Sequence, residues 1–205
     1  MRSLIQLPSV LSTNHAYPLW LVLHGAFSTA EDATLLFGSD ATTRNVVLLA
    51  PQATRPCGAG YCWSFAHDAS TIRTLLDQIQ ATYQIDPARI AVIGHSMGCA
   101  MGCWLLAQNP GRFAFFAAFG MGSAFEPWEH DDGGIDEAGL RATATTTRML
   151  LAVDQADPGG NDAYFADNLT RLRRAGLHVE TFRPQEGTHA VTATMKAAML
   201  QALPF

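Results

Sequence analysis

The most constraining feature of this chain is a junction. The apolar run Ile90-Ala91-Val92-Ile93 passes directly into Gly94-His95-Ser96-Met97-Gly98, which opens the apolar stretch from Cys99 to Gln108. The short run reads as buried strand and the longer stretch as helix, so the G-x-S-x-G pattern sits on a tight strand-to-helix turn, the context of a nucleophile elbow. Such a turn strains the serine backbone, and side chains at positions 94 and 98 would collide with the strand and the helix. The Ser96 hydroxyl then projects from the sheet edge. The helix beginning near Met97 directs its free N–H groups and positive dipole end at the same point, which makes Met97 N–H a natural oxyanion donor. His95 adjoins the serine, but neighbours at an elbow point in different directions, and it reads as structural.

Other apolar runs recur along the chain. Trp20-Leu21-Val22-Leu23, Val46-Val47-Leu48-Leu49, Phe113-Ala114-Phe115-Phe116 and Met149-Leu150-Leu151-Ala152-Val153 lack polar alternation and are bounded by Gly, Pro or charged residues. Strands of that kind are buried on both faces, as in a parallel sheet covered by helices. Between them, Ile72, Leu75, Leu76, Ile79 and Tyr83 repeat at helical spacing behind Asp68 as N-cap, stopping at Ile85-Asp86-Pro87. Further helices are predicted from about Asp162, itself read as an N-cap, to Ala175 with Gly176 as the stop, and from about Ala190 to Ala202. The alternation predicts an α/β class chain, a doubly wound, mostly parallel sheet with helices on both faces. Its 205 residues fit one domain over 1–205, and the irregular stretch at about 122–147, with His130-Asp131-Asp132-Gly133-Gly134, is expected as a short cap-like loop.

Composition removes several classes of function. The formal charge is -5 and Lys and Arg form no cluster, which argues against nucleic acid as a partner. No apolar run reaches the length of a membrane span, so none is expected. The first residues show no export signal, and cytoplasmic residence is the default expectation, with a trimmed secreted form left open. Cys57 and Cys62 flank a Gly-Ala-Gly-Tyr turn that a disulfide would close, whereas Cys99 and Cys103 fall on one helical face as buried thiols. No ligand spacing for zinc occurs, so neither metal nor cofactor is expected.

A serine hydroxyl is a weak nucleophile at neutral pH and requires a base, with a carboxylate to hold that base in one tautomer. In strand-elbow proteins of this type both partners follow the serine in the chain. His189, in Gly187-Thr188-His189, lies after the strand-like Val179 to Arg183 and before the last helix. His178 begins that strand, His130 falls in the polar loop, and His15, His24 and His67 precede the serine. For the acid, Asp154 terminates a strand, while Asp157 lies farther into the following loop and is the better placed of the two. A second oxyanion donor is expected from Leu23-His24-Gly25-Ala26-Phe27, where Gly25 permits a turn that presents Ala26 N–H.

These residues resemble the α/β-hydrolase superfamily, in particular the small esterases grouped with polyhydroxybutyrate depolymerases and feruloyl esterases. The resemblance rests on Leu21 to Phe27, Ala50-Pro51-Gln52, Cys62-Trp63, the stretch from Tyr83 through Gly98, then Asp157 and His189. The short His-Gly loop and Arg55-Pro56 are also similar to the carboxylesterase and acyl-protein thioesterase branch. The sequence departs from the depolymerase-like pattern at Cys99, where a second glycine is common, and no appendage for insoluble polymer is expected. The resemblance implies a compact α/β-hydrolase fold with minimal cap and hydrolysis of small soluble carboxylic esters through a Ser96-His189-Asp157 triad and an acyl-enzyme. Thioesters or polyesters would use the same constellation, and a non-catalytic ligand-binding protein on the same fold is the reading of another class. The resemblance further implies Trp63 and Phe27 as substrate-binding residues, with Phe125 and Trp128 weaker candidates.

Overall fold

The computed structural model describes residues 1–12, 14–125 and 134–205. A seven-stranded sheet has the order β1-β3-β2-β6-β7-β8-β9, formed by β1 (Ser3–Gln6), β2 (Tyr17–Leu23), β3 (Val47–Pro51), β6 (Ile85–His95), β7 (Phe115–Phe119), β8 (Arg148–Ala152) and β9 (His178–Phe182). β1 pairs antiparallel with β3, and the remaining neighbours are parallel. A small hairpin, β4 (Arg55–Cys57) and β5 (Gly60–Cys62), is closed by the Cys57–Cys62 disulfide.

The unbroken apolar runs follow from burial on both faces. Along β2, Leu19, Leu21 and Leu23 enter one core with Val92, Phe116 and Leu151, while Trp20 and Val22 enter the other with Ile93, Phe119 and Ala152. Side chains alternate across a strand, so each strand feeds two cores and needs apolar residues at every position. Helices α2 (Phe65–Thr82), α3 (Met97–Gln108), α4 (Glu137–Thr143) and α5 (Asp162–Arg174) are on the first side, with α1 (Ala30–Thr43) and α6 (Ala193–Ala202) on the second. α3 is buried from Gly98 to Ala107 because β6 and β2, α2 and α4 surround it. No helix among the described residues is long and apolar enough to cross a membrane.

Several boundaries differ from expectation. α2 starts at Phe65 rather than Asp68: Ser64 holds the cap position, and Asp68, fully buried in the first turn, accepts from Ser64 N (2.9 Å) and Thr54 Oγ1 (2.6 Å). α6 starts at Ala193, where Thr192 caps Met195 N. β6 begins before Pro87 because Asp86 to Arg89 loop out as a bulge between the pairs Tyr17–Ile85 and Leu19–Ile90, a place where the missing proline N–H costs no ladder bond. β7 lies downstream of Phe113, which is buried core without being strand. α1, β1 and the hairpin had no strong periodic signal. Of the stretch expected as a cap, α4 packs on α3, where a Cβ at Gly139 would run into the Ala107 carbonyl, and Gly122 to Ala124 line the cleft described below. Trp128 and His130 lie outside the described residues.

Candidate active site

β2 has β3 on one side and β6 on the other, so the chain reverses its direction of travel across the sheet between β2 and β6. Loops at the carboxyl ends of strands splay apart at such a switch point and leave a crevice. The loops after β2, β6, β8 and β9 supply the residues singled out above.

Ser96 occupies the turn between β6 and α3 with φ 52° and ψ -120°, a left-handed conformation that L-residues rarely adopt. Two glycines permit it. A Cβ at Gly94 would lie 2.6 Å from Gly98 O, and one at Gly98 would run into the carbonyls of Leu23 and His24. Ser96 N donates to Phe119 O at 2.8 Å, fixing the turn against the end of β7.

Asp157 and His189 meet from adjacent loops. His189 Nδ1 is 2.8 Å from Asp157 Oδ2, whose side chain is 1% exposed against 32% for the histidine. Asp157 Oδ1 accepts from Gly159 N at 2.6 Å, and Oδ2 accepts from Asn161 Nδ2 at 3.1 Å. Two contacts bring this imidazole beside the elbow. Gly120, one residue beyond the carbonyl that holds Ser96 N, lies so close that a Cβ on it would be 3.1 Å from His189 Cε1. His95 Nε2 also donates to the His189 carbonyl at 2.8 Å. His95 is thus the structural residue its position suggested, and burial holds it below the ordinary histidine pKa despite that bond.

Asp154 is not at the histidine ring. Its carboxylate accepts from Ala156 N (2.8 Å), Glu186 N (2.7 Å) and Gly187 N (3.3 Å), tying the β8 loop to the loop that carries His189. Burial alone would raise its pKa, but these backbone bonds and the Arg183 charge bring it below the ordinary value.

The loop after β2 is held by His24 and Trp63. His24, buried, accepts Ala53 N–H at Nε2 (3.1 Å), so Nδ1–H donates to Gly25 O (2.7 Å). Burial lowers its pKa, which keeps this tautomer neutral. Trp63, expected in the cleft, is 0% exposed: its Nε1 donates to His24 O at 2.8 Å and its ring lies 4.7 Å from the imidazole of His24. Neutral apolar surface and one N–H matched to a carbonyl suit a core position, so Trp63 supports the loop rather than contacting a ligand. Trp63→Ala is expected to cost about 3–5 kcal/mol of stability and to lower turnover of all esters alike; selective loss of bulky esters with unchanged Tm in thermal melts would return it to the cleft.

Phe27, the other expected substrate contact, is 65% exposed with φ 62°, its ring against Gly58 of the hairpin. Its N–H donates to Tyr61 O at 3.1 Å and is therefore engaged. It stands outside the cleft lining. The cleft itself, about 270 Å³, is lined by Ala26, Ser96 and Met97 of the β2 and β6 loops, with Ala100, Gly122, Ser123, Ala124, Gly159, Asn161 and Tyr164. Asn161 carried no recognisable motif in the sequence; α5 begins at Asp162, which pairs with Arg183 instead of capping the helix. Cys99 and Cys103 are buried thiols, the latter pushed up to about 12 by burial. Among the described residues no three His, Cys, Asp or Glu side chains are placed to hold a metal ion.

A mostly parallel sheet flanked by helices, with a strained serine between strand and helix at the switch point, defines a hydrolase of the α/β-hydrolase type. The model of the Esterase family matches residues 1–195, and the chain belongs to that family. It is accordingly a serine hydrolase acting on ester bonds. No curated protein matches in sequence. Solved structures share the fold at low identity. Esterase PE8 is 18% identical over 98% of both chains with a TM-score of 0.73. The Bacillus cereus carboxylesterase is 15% identical over 98% of this chain and 93% of its own, with a TM-score of 0.76. A ferulic acid esterase from Anaeromyces mucronatus, solved with ferulic acid, is 17% identical over 98% of this chain and 83% of its own, with a TM-score of 0.70.

Proposed function

We propose that the chain hydrolyses small carboxylic esters through Ser96, His189 and Asp157. The observation that carries this reading is the 2.8 Å contact between Asp157 Oδ2 and His189 Nδ1 beside the strained elbow. With Nδ1–H donated to the carboxylate, Nε2 carries the free lone pair that takes the Ser96 proton. Ser96 Oγ attacks the ester carbonyl, and the oxyanion is met by the N–H groups of Ala26 and Met97. Collapse of the tetrahedral intermediate expels the alcohol, which receives its proton from His189. Water, deprotonated by the same imidazole, then attacks the acyl-enzyme and releases the acid. No step requires a cofactor.

The cleft suits a small acyl group. Ala100, Gly122, Ser123 and Ala124 leave room for a few carbons within about 270 Å³, and the remaining wall is polar at Asn161. Pre-steady-state hydrolysis of nitrophenyl acetate is expected to give a burst of one nitrophenol per active site, and a fluorophosphonate should add to Ser96 on peptide mapping. Absence of both would overturn the assignment. Ala100→Leu should lower kcat/KM for nitrophenyl hexanoate about tenfold more than for the acetate, since displacing two buried methylenes forfeits roughly 0.8 kcal/mol each. An equal loss would place the acyl group elsewhere.

A further inference from the structure

Asn161 holds the N-cap position of α5, yet its side chain makes no cap hydrogen bond to that helix. The amide is spent on the site instead. Its Nδ2 donates to Gly120 O at 2.8 Å and to Asp157 Oδ2 at 3.1 Å, and it lies 2.7 Å from His189 Nδ1. With the amide reversed, Oδ1 would face two oxygens and meet only the Nδ1–H already given to Asp157, so the two oxygens fix its orientation, and Nδ2 is a neighbour of Nδ1 rather than its donor. Asn161 is 6% exposed, and two turns farther along the same helix buried Asn168 donates from Nδ2 to Gly122 O at 2.7 Å. Both asparagines therefore pin the loop after β7, but of these two contacts only that of Asn161 also reaches the carboxylate that holds His189.

We propose that Asn161 is a positioning residue of the acyl-transfer centre, donating to the Asp157 oxygen that receives the His189 proton while anchoring the Gly120 carbonyl behind the imidazole. This inference rests on the triad reading above. The shared oxygen, Asp157 Oδ2, accepts one bond from the imidazole and one from the amide, which holds the carboxylate in a single rotamer and spreads its charge. Among the described residues the titratable groups around His189 are Asp157 on the β8 loop and His95 at the end of β6, the latter held below the ordinary histidine range by burial; α5 adds Tyr164 on the cleft wall and Asp162, which is paired with Arg183. The Gly120 to Gly122 backbone adds no charge.

The signature is electrostatic. Removing the amide donor leaves Asp157 a stronger partner for imidazolium, and a carboxylate in its place adds negative charge beside the ring; both raise the pH needed to free His189. For a soluble nitrophenyl ester, Asn161→Asp is expected to move the acid-limb midpoint of kcat/KM up by about one pH unit. Asn161→Ala should move it less in the same direction while lowering kcat about tenfold to a hundredfold through misplacement of the ring, with a smaller change in KM. Asn168→Ala, which removes the other pin of the same loop, should lower Tm and leave the midpoint in place. Wild-type midpoints in both Asn161 variants, with Tm losses resembling that of Asn168→Ala, would overturn the proposal. Should Asn161→Asp not fold, the midpoint and kcat of Asn161→Ala decide. Fluorophosphonate labelling of wild-type Ser96 is run alongside: no labelling there is failure of the esterase mechanism itself, whereas a labelled wild type with unshifted variants is failure of this inference alone.

Discussion

Ser96→Ala is expected to reduce ester turnover by about a millionfold, the scale seen when a triad nucleophile is removed. The substitution deletes one oxygen at a turn whose geometry is imposed by Gly94, Gly98 and the bond from Ser96 N to Phe119 O, none of which involves the hydroxyl. Alanine carries the same Cβ as serine at φ 52°, so the backbone strain is unchanged and Tm should stay within a degree or two of wild type. Initial rates on nitrophenyl acetate with a thermal melt on the same sample check both halves. A variant that turns over ester near the wild-type rate would dismiss Ser96 as nucleophile.

The two aspartates of the β8 loop should separate just as sharply. Asp157→Asn is expected to lower kcat about ten-thousandfold, because an amide facing Nδ1 no longer selects the tautomer with a lone pair at Nε2 and cannot stabilise imidazolium. Asp154→Asn should act through stability, since that carboxylate gathers the backbone N–H groups of Ala156, Glu186 and Gly187 and touches no ring. Its pKa is lowered in the folded protein, so the stability it contributes is complete above the unfolded value of 3.8 and is lost as pH falls through the folded one. The gap in Tm between wild type and Asp154→Asn should therefore be present at neutral pH and close in acid. A larger activity loss for Asp154→Asn than for Asp157→Asn in kinetics at neutral pH would exchange the two roles.

The fold class was open to reading because parallel strands buried on both faces have no polar alternation, and that pattern survives in any linear listing of residues. Ser96 was legible for a related reason: the two glycines that allow its strained turn are immediate neighbours, so the steric requirement is written locally. His189 and Asp157 were singled out by chain order and loop position. Their 2.8 Å contact was not written in the sequence, since it depends on adjacent strands β8 and β9 delivering two loops to one point.

The placement of aromatic residues, for the opposite reason, was not legible. Phe27 lies in the loop after β2 and Trp63 follows the hairpin, but the chain does not say whether such a ring faces the core or the solvent, and here Trp63 is buried and Phe27 exposed. The fully buried parallel strands, the elbow turn and the chemical inventory could be read from residue order alone, because strand burial and turn sterics are short-range, whereas the edge strand β1 could not. It took the folded chain to show which of two aspartates meets the histidine, that Trp63 lies under the loop after β2, and that an asparagine at a helix start bonds a carboxylate rather than its own helix. Those outcomes depend on distances between loops far apart in the chain, set by sheet order and helix packing that no local pattern records.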